Sequence, residues 1–269
     1  MAEKVKEILT NELKVLQMEI LDYVDGFCRQ NGIRYTISGG TLLGAVRHGG
    51  YIPWDDDIDI QMIRSEYYRF TQLWNENVSK HPYELINIES GNNMGYPFGK
   101  ISNPKTVVYV GGVERTGVFI DIFPVDKVVD MKDFMSRHKK ILTFYFWQRF
   151  SFMWRCRKSA GLPFWKKICA FFLGSWHSRE ELAVKINCLA AKYEKEDCPL
   201  VFEMIAGRIC KKPMPKMVFD SYCDIKFENR NYMSVTDYDT YLKATFGNYM
   251  QLPPENKRVS HHSFDAYWK

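Results

Sequence analysis

Apolar positions recur at helical spacing from the start of the chain. Val5, Ile8, Leu9, Leu13, Leu16, Ile20, Leu21 and Val24, with Gly32 beyond them as a stop, predict one helix over residues 3–31. Ile33–Ile37 reads as a short strand running into Ser38-Gly39-Gly40, and Thr41–His48 as a short helix. Gly49-Gly50 and Pro53 mark an irregular loop. From Asp57 to Met62 acidic and apolar residues alternate with the period of a strand, and a helix is expected from Ser65 to about Val78. Four segments rich in β-branched and aromatic residues follow: Tyr83–Glu89, Phe98–Ser102, Thr106–Val110 and Gly117–Phe123. Residues 131–208 carry a helical pattern interrupted at Gly161, Pro163 and Gly174, and the remainder is mixed, with a helix near Tyr238–Phe246. This order predicts an α+β fold. A mixed-sheet core spans residues 1–128, a helical annex 129–210, and a C-terminal segment, 211–269, returns to the core.

Composition adds modest constraints. A chain of 269 residues that is 46% hydrophobic and 26% charged can bury a full core, so a globular protein is expected. A formal charge of +5 suits an anionic substrate, but the basic residues form no dense stripe, which argues against a nucleic-acid partner. The seven cysteines include no Cys-x-x-Cys pair; reduced thiols in a cytoplasmic protein are the simplest account. Met1–Leu9 lacks an apolar secretory core, and no apolar stretch reaches spanning length, so a soluble or peripheral protein is expected.

The chemistry concentrates in Asp55-Asp56-Asp57-Ile58-Asp59-Ile60. Alternate residues of a strand face the same way, so Asp57 and Asp59 point together and Ile58 and Ile60 face the core. Asp55 joins the pair if the strand starts early, and Asp56 points elsewhere. Carboxylates crowded on one face repel, and a divalent cation such as Mg2+ or Mn2+ resolves the repulsion with hard oxygen ligands. Two such ions would give the geometry of metal-assisted phosphoryl transfer. A calcium loop is the competing reading, but Ile60 stands where its glycine belongs. Asp121, a lone acid in the apolar run Val118–Phe123, is the candidate for the completing carboxylate and for a general base. Upstream, Ser38-Gly39-Gly40-Thr41 opens a helix whose N–H groups can meet a phosphate.

Together these residues resemble the LicD family. The resemblance rests on the run from Ser38-Gly39-Gly40-Thr41-Leu42-Leu43-Gly44 through Arg47-His48-Gly49-Gly50 to Ile52-Pro53-Trp54-Asp55-Asp56-Asp57-Ile58-Asp59-Ile60. Phe246-Gly247-Asn248-Tyr249 through Glu255, followed by Arg258 and His261-His262, extends it. The resemblance implies a nucleotidyltransferase-like fold of the polymerase-beta type. It also implies transfer of a phosphorylated head group from a cytidine diphosphate donor to a sugar hydroxyl. The donor it suggests first is CDP-choline. The acceptor would be a glycan or lipid-linked glycan of the teichoic acid, lipopolysaccharide or capsule kind. Ribitol phosphate, as in fukutin-related proteins, glycerol phosphate and phosphoethanolamine remain alternatives, as do a nucleotidyltransferase and a glycan-binding module without turnover. Asp57, Asp59 and Asp121 are then the catalytic and metal-holding acids, with Asp55 as a further metal ligand. Ser38, Gly39, Gly40, Thr41, Arg47, His48 and Lys100 are the expected donor-binding set.

A choline head group calls for aromatic faces. Tyr51, Trp54, Tyr96, Phe98 and Tyr109 are the aromatics nearest the motifs, with Tyr51, Trp54, Tyr96 and Tyr109 as the candidates for the head group. The basic, aromatic stretch over residues 144–172 is a candidate peripheral contact with the inner face of the cytoplasmic membrane. The competing reading packs the same aromatics inside the annex.

Overall fold

The computed structural model describes residues 6–110, 113–155, 165, 168, 177–205, 212–259 and 264–269. It is a mixed α/β architecture. The central sheet, among the described residues, has the strand order β1-β2-β7-β4-β3, and β8 and β9 extend from the far half of β7. These are β1 (Thr36–Ile37), β2 (Asp59–Ile63), β3 (Glu84–Ile86), β4 (Gly99–Ser102), β7 (Phe119–Val128), β8 (Leu200–Phe202) and β9 (Met214–Pro215). β2 and β7 run parallel, and the remaining pairs are antiparallel, so the sheet is mixed. A second sheet joins β5 (Thr106–Val110), β6 (Val113–Thr116) and the C-terminal β12 (Phe264–Trp268). β10 (Tyr222–Phe227) and β11 (Arg230–Val235) form a hairpin.

Helix α1 (Thr10–Gln30) buries the stripe Leu13, Leu16, Ile20, Leu21, Val24 and Cys28 against the main core. Its onset differs from the expected residue 3. Residues 6–8 are drawn instead to the sheet edge, where Ile8 N–H donates to Ala266 O and Trp268 N–H donates to Lys6 O. Backbone pairing with β12 thus overrides the helical periodicity of Ile8 and Leu9, while Val5 lies outside the described residues. Helix α2 (Gly39–His48) and helix α3 (Arg64–Asn75) flank β2. Helices α4 (Met131–Arg155) and α5 (Arg179–Ala190) carry a smaller core of Val128, Phe134, Ile141, Ile186, Phe202 and Met204. The expectation of helix throughout 131–208 is corrected by β8, whose Phe202 pairs with Asp126 of β7. α6 (Tyr238–Phe246) returns to the main core through Tyr241 and Leu242.

One fully buried ion pair ties these layers together. Arg64 Nε donates to Asp126 at 2.8 Å, and its Nη1 donates to Asn187 of α5 at 2.7 Å. Burial raises the Asp126 carboxyl above its ordinary range, and Arg64 opposes that rise. Breaking such a pair leaves an uncompensated buried charge.

Candidate active site

β2 starts at Asp59, so strand alternation sets the direction of Asp59 but not of Asp55–Ile58. Asp55 is placed instead by a turn, its N–H donating to Ile52 O at 2.9 Å. The outcome still gathers the acids. Asp55, Asp57, Asp59 and Asp121 all line one cleft of about 700 Å³. Asp56 does not line it, although one carboxylate oxygen each from Asp55, Asp56 and Asp57 lie within 4.8 Å of one another. Asp56 is therefore close enough to its neighbours to add to their crowding without lining the cleft.

Asp121 reaches the site through sheet register. It pairs with Asp59 across parallel β2 and β7, and Ile58 and Ile60 sit in the core beneath. Burial pushes the Asp59 carboxyl well above the usual range, and the charges of Asp57, Asp121, Glu203 and Asp55 push it further. Burial and the neighbouring carboxylates thus act in the same direction on Asp59, both disfavouring its charged form. The donor set is all oxygen and all acidic, which fits a hard divalent cation.

The Gly-Gly turn serves these acids directly. Gly39 has φ +52°, a conformation that side chains resist, and a Cβ there would stand 3.2 Å from Asp59 Oδ2. A Cβ on Gly40 would stand 2.4 Å from Asp55 Oδ2. Ser38 N–H donates to Asp59 O, and Asp59 N–H donates to Thr41 Oγ1, both at 2.9 Å. The start of α2 is thus clamped to the start of β2. Gly39 and Gly40 line the cleft; Ser38 and Thr41 are buried behind them.

The remaining expected residues are divided by the fold. Arg47 lines the cleft, donating to Tyr249 O at 2.8 Å and to His48 Nε2 at 3.0 Å. Burial lowers both Arg47 and His48, and Arg47's charge lowers His48 further. His48 packs edge-on against Trp54, which also lines the cleft. Lys100 is buried and forms an ion pair with Asp121, with only 4% of its side chain exposed. Its ammonium lies over the rings of Phe119, Tyr96 and Phe98. Of these rings Phe98 lines the cleft and Tyr96 does not. Tyr51 packs on Phe227 and donates its hydroxyl to Gln17, outside the cleft lining. Tyr109 packs on Tyr267 in the second sheet, also outside it. His261 and His262 lie outside the described residues.

The cleft also holds residues that sequence reasoning missed. Gly39 N–H donates to the Tyr241 hydroxyl at 3.2 Å, that hydroxyl donates to Gln61 Oε1 at 3.0 Å, and Gln61 Nε2 donates to Glu203. Phe123 and Phe202 supply aromatic wall, together with Phe98, Phe246 and Tyr249, which the sequence had already singled out. Phe123 and Gln61 had a local signal, since each lies two residues beyond a candidate acid on the same strand face. Glu203 had none, because it arrives from a distant segment through β8.

A cleft that gathers the carboxylates of Asp55, Asp57, Asp59 and Asp121, with a glycine-opened helix N-terminus at its rim, is thus set on a mixed α/β scaffold. Residues 32–163 match the protein family described as LicD/FKTN/FKRP, nucleotidyltransferase domain, and the chain carries that LicD family domain. Over 97% of its length the chain is 29% identical to 99% of the lipopolysaccharide cholinephosphotransferase LicD of Haemophilus influenzae. A segment of 55 residues, 20% of the chain, is 52% identical to 11% of the ribitol 5-phosphate transferase FKRP of Homo sapiens and of Mus musculus. These relatives are transferases of phosphorylated head groups, and the similarity supports that class for this chain.

Proposed function

We propose that the protein transfers phosphocholine from CDP-choline to a hydroxyl of a bacterial surface glycan, on a nucleotidyltransferase-like core. The observation that carries this reading is the Asp59–Asp121 register pair, joined by Asp55 and Asp57 in one cleft beside Gly39 and Gly40. Near-full-length similarity to a cholinephosphotransferase supplies the choline. The acceptor would be a glycan or lipid-linked glycan of the lipopolysaccharide or teichoic acid kind, met at the inner face of the cytoplasmic membrane.

Asp55, Asp57, Asp59 and Asp121 would hold Mg2+ or Mn2+, which supplies charge neutralisation for the donor's phosphates. Gly39 and Gly40 let the backbone approach the donor at the N-terminus of α2. Arg47, anchored by Tyr249 O on the cleft wall, would pair with the donor diphosphate. Asp121 takes the acceptor's proton, and Lys100 behind it supplies the compensating positive charge. The acceptor oxygen attacks the phosphorus that bears choline, and the bond to the bridging oxygen breaks with CMP as leaving group. Catalysis is then mostly positioning and charge neutralisation.

The similarity to FKRP motivates a second reading, ribitol 5-phosphate as the transferred group. Release of CMP from CDP-choline and from CDP-ribitol, with Mg2+ and a glycan acceptor present, tests both. Acceptor-dependent release from CDP-choline is expected to be much the faster. Equal release selects neither head group, and release from CDP-ribitol alone refutes the choline reading.

A further inference from the structure

Three neighbouring strands rule the cleft floor into rows. Across parallel β2 and β7, Asp59 stands opposite Asp121 and Gln61 opposite Phe123. Across antiparallel β4 and β7, Lys100 stands opposite Asp121 and Gly99 opposite Ile122. Side chains two residues apart share a face. One row therefore holds Asp59, Asp121 and Lys100. The next, about 6.7 Å further along the strands, holds Gln61 and Phe123. Phe98 joins that second row, its ring centroid 4.5 Å from that of Phe123 at an interplanar angle of 42°. Gln61 donates to Glu203 at the row's edge, and Gln61, Phe123, Phe98 and Glu203 all line the cleft. Phe98, Phe123 and Glu203 keep part of their surface open.

The two rows differ in chemistry. The first is acidic and suits phosphate and cation. The second offers two aromatic rings and one carboxylate. Its amide is already engaged, with Tyr241 on the oxygen and Glu203 on the nitrogen. A polyol would need several polar partners there, and a primary ammonium several acceptors. A trimethylammonium group needs aromatic faces and a nearby negative charge, and asks for no hydrogen bonds. In a choline ester a short O–C–C link separates nitrogen from phosphorus, in keeping with one step between adjacent rows. The same aromatic wall already shelters a cation, since the Lys100 ammonium lies 3.6 Å from the Phe119 centroid and 5.2 Å from that of Phe98. Its charge is balanced by Asp121, so it does not oppose a second cation one row away.

We propose that Phe98, Phe123 and Glu203 form the head-group subsite and set the preference for a quaternary ammonium over a polyol or a primary amine. The proposal rests on the head-group transferase reading and moves the subsite away from Tyr51, Tyr96 and Tyr109.

The test measures dissociation constants of CDP-choline, CDP-ethanolamine, CDP-ribitol and CMP for the full chain with Mg2+, in wild type, Phe98→Leu, Phe123→Leu, Phe123→Tyr and Glu203→Gln. Wild type should bind CDP-choline more tightly than the other three ligands. Both leucine variants and Glu203→Gln should weaken CDP-choline about tenfold while CMP stays within about twofold, and Phe123→Tyr, which keeps the ring, should retain the preference. Glu203→Gln preserves the acceptor for Gln61, so its effect reads charge and not folding. Equal losses for CMP and CDP-choline overturn the subsite. So does CDP-choline turnover whose donor preference is unchanged in all variants, an outcome that leaves the transferase reading standing. Wild type that turns over CDP-ribitol and not CDP-choline overturns the subsite and the choline reading together.

Discussion

Replacing Gly40 with Ala isolates the geometry of one carboxylate from the stability of the fold. The new Cβ would stand 2.4 Å from Asp55 Oδ2, whereas real contacts begin near 3.0–3.4 Å, so the oxygen must retreat by about 0.6–1.0 Å (3.0 − 2.4 to 3.4 − 2.4). The atom displaced is the tip of a side chain, so turning it off its rotamer costs about 1 kcal/mol. Alanine in place of glycine in a helix recovers up to about 1 kcal/mol. Stability should therefore move by less than about 1 kcal/mol, or a few degrees in Tm. Activity should not be spared, because a misplacement of about 1 Å at a reacting centre costs on the order of 100-fold. The assay is acceptor-dependent CMP release under saturating donor, beside a thermal melt of the same sample. Turnover within about threefold of wild type, with Tm unchanged, would refute the placement of Asp55 among the working acids. Gly39→Ala gives the contrast. Its φ of +52° penalises any side chain, so it should lose about 1–2 kcal/mol of stability as well as activity.

Asp57→Asn and Asp59→Asn should each abolish CMP release while leaving the fold intact, and wild-type-like rates in either would sink the metal-bound acid site. In chelator, the folded protein holds the Asp59 proton to higher pH than the unfolded chain does. Asp59 therefore contributes stability below the ordinary carboxylate range and loses it as pH rises through the raised folded value. Asp59→Asn should accordingly melt higher than wild type at neutral pH, with the gap closing toward pH 4; a variant that melts lower at neutral pH contradicts the crowding. Asp121→Asn should differ in sign, losing activity and about 3 kcal/mol of stability, because it strands the buried Lys100 ammonium. A denaturant titration checks this, and a stability loss that persists unchanged in Asp121→Asn combined with Lys100→Met would show that the ion pair is not its cause. Flotation with anionic liposomes at low salt should recover the protein, and the replacement of exposed Phe146 and Trp165 should weaken it. No helix among the described residues is long and apolar enough to cross a membrane.

Local periodicity made several features legible in the sequence. The apolar stripe of α1, the helix Tyr238–Phe246 and the inward Ile60 follow from spacings of 3.6 and 2 residues, which neighbouring residues impose on one another. Asp57 and Asp59 do line one cleft as the sequence suggested, although Asp57 lies before the strand and alternation does not place it; a seam of glycines before them announced a close backbone approach. What only the tertiary structure decided depends on register between segments far apart in the chain. Asp121 stands beside Asp59 because β2 and β7 pair in parallel, and Lys100 meets Asp121 because β4 pairs with β7 in a particular register. The strand that delivers Glu203 interrupts a stretch whose pattern reads as helix, since its pairing with β7 outweighs local propensity. The aromatics moved for the same reason. Tyr51 and Tyr109 had the right chemistry but pack on Phe227 and Tyr267, while Phe123 and Phe98 face the cleft through the strands that carry them. A one-residue change of register would turn every one of these side chains to the opposite face, and no local pattern records which register the packed sheet selects.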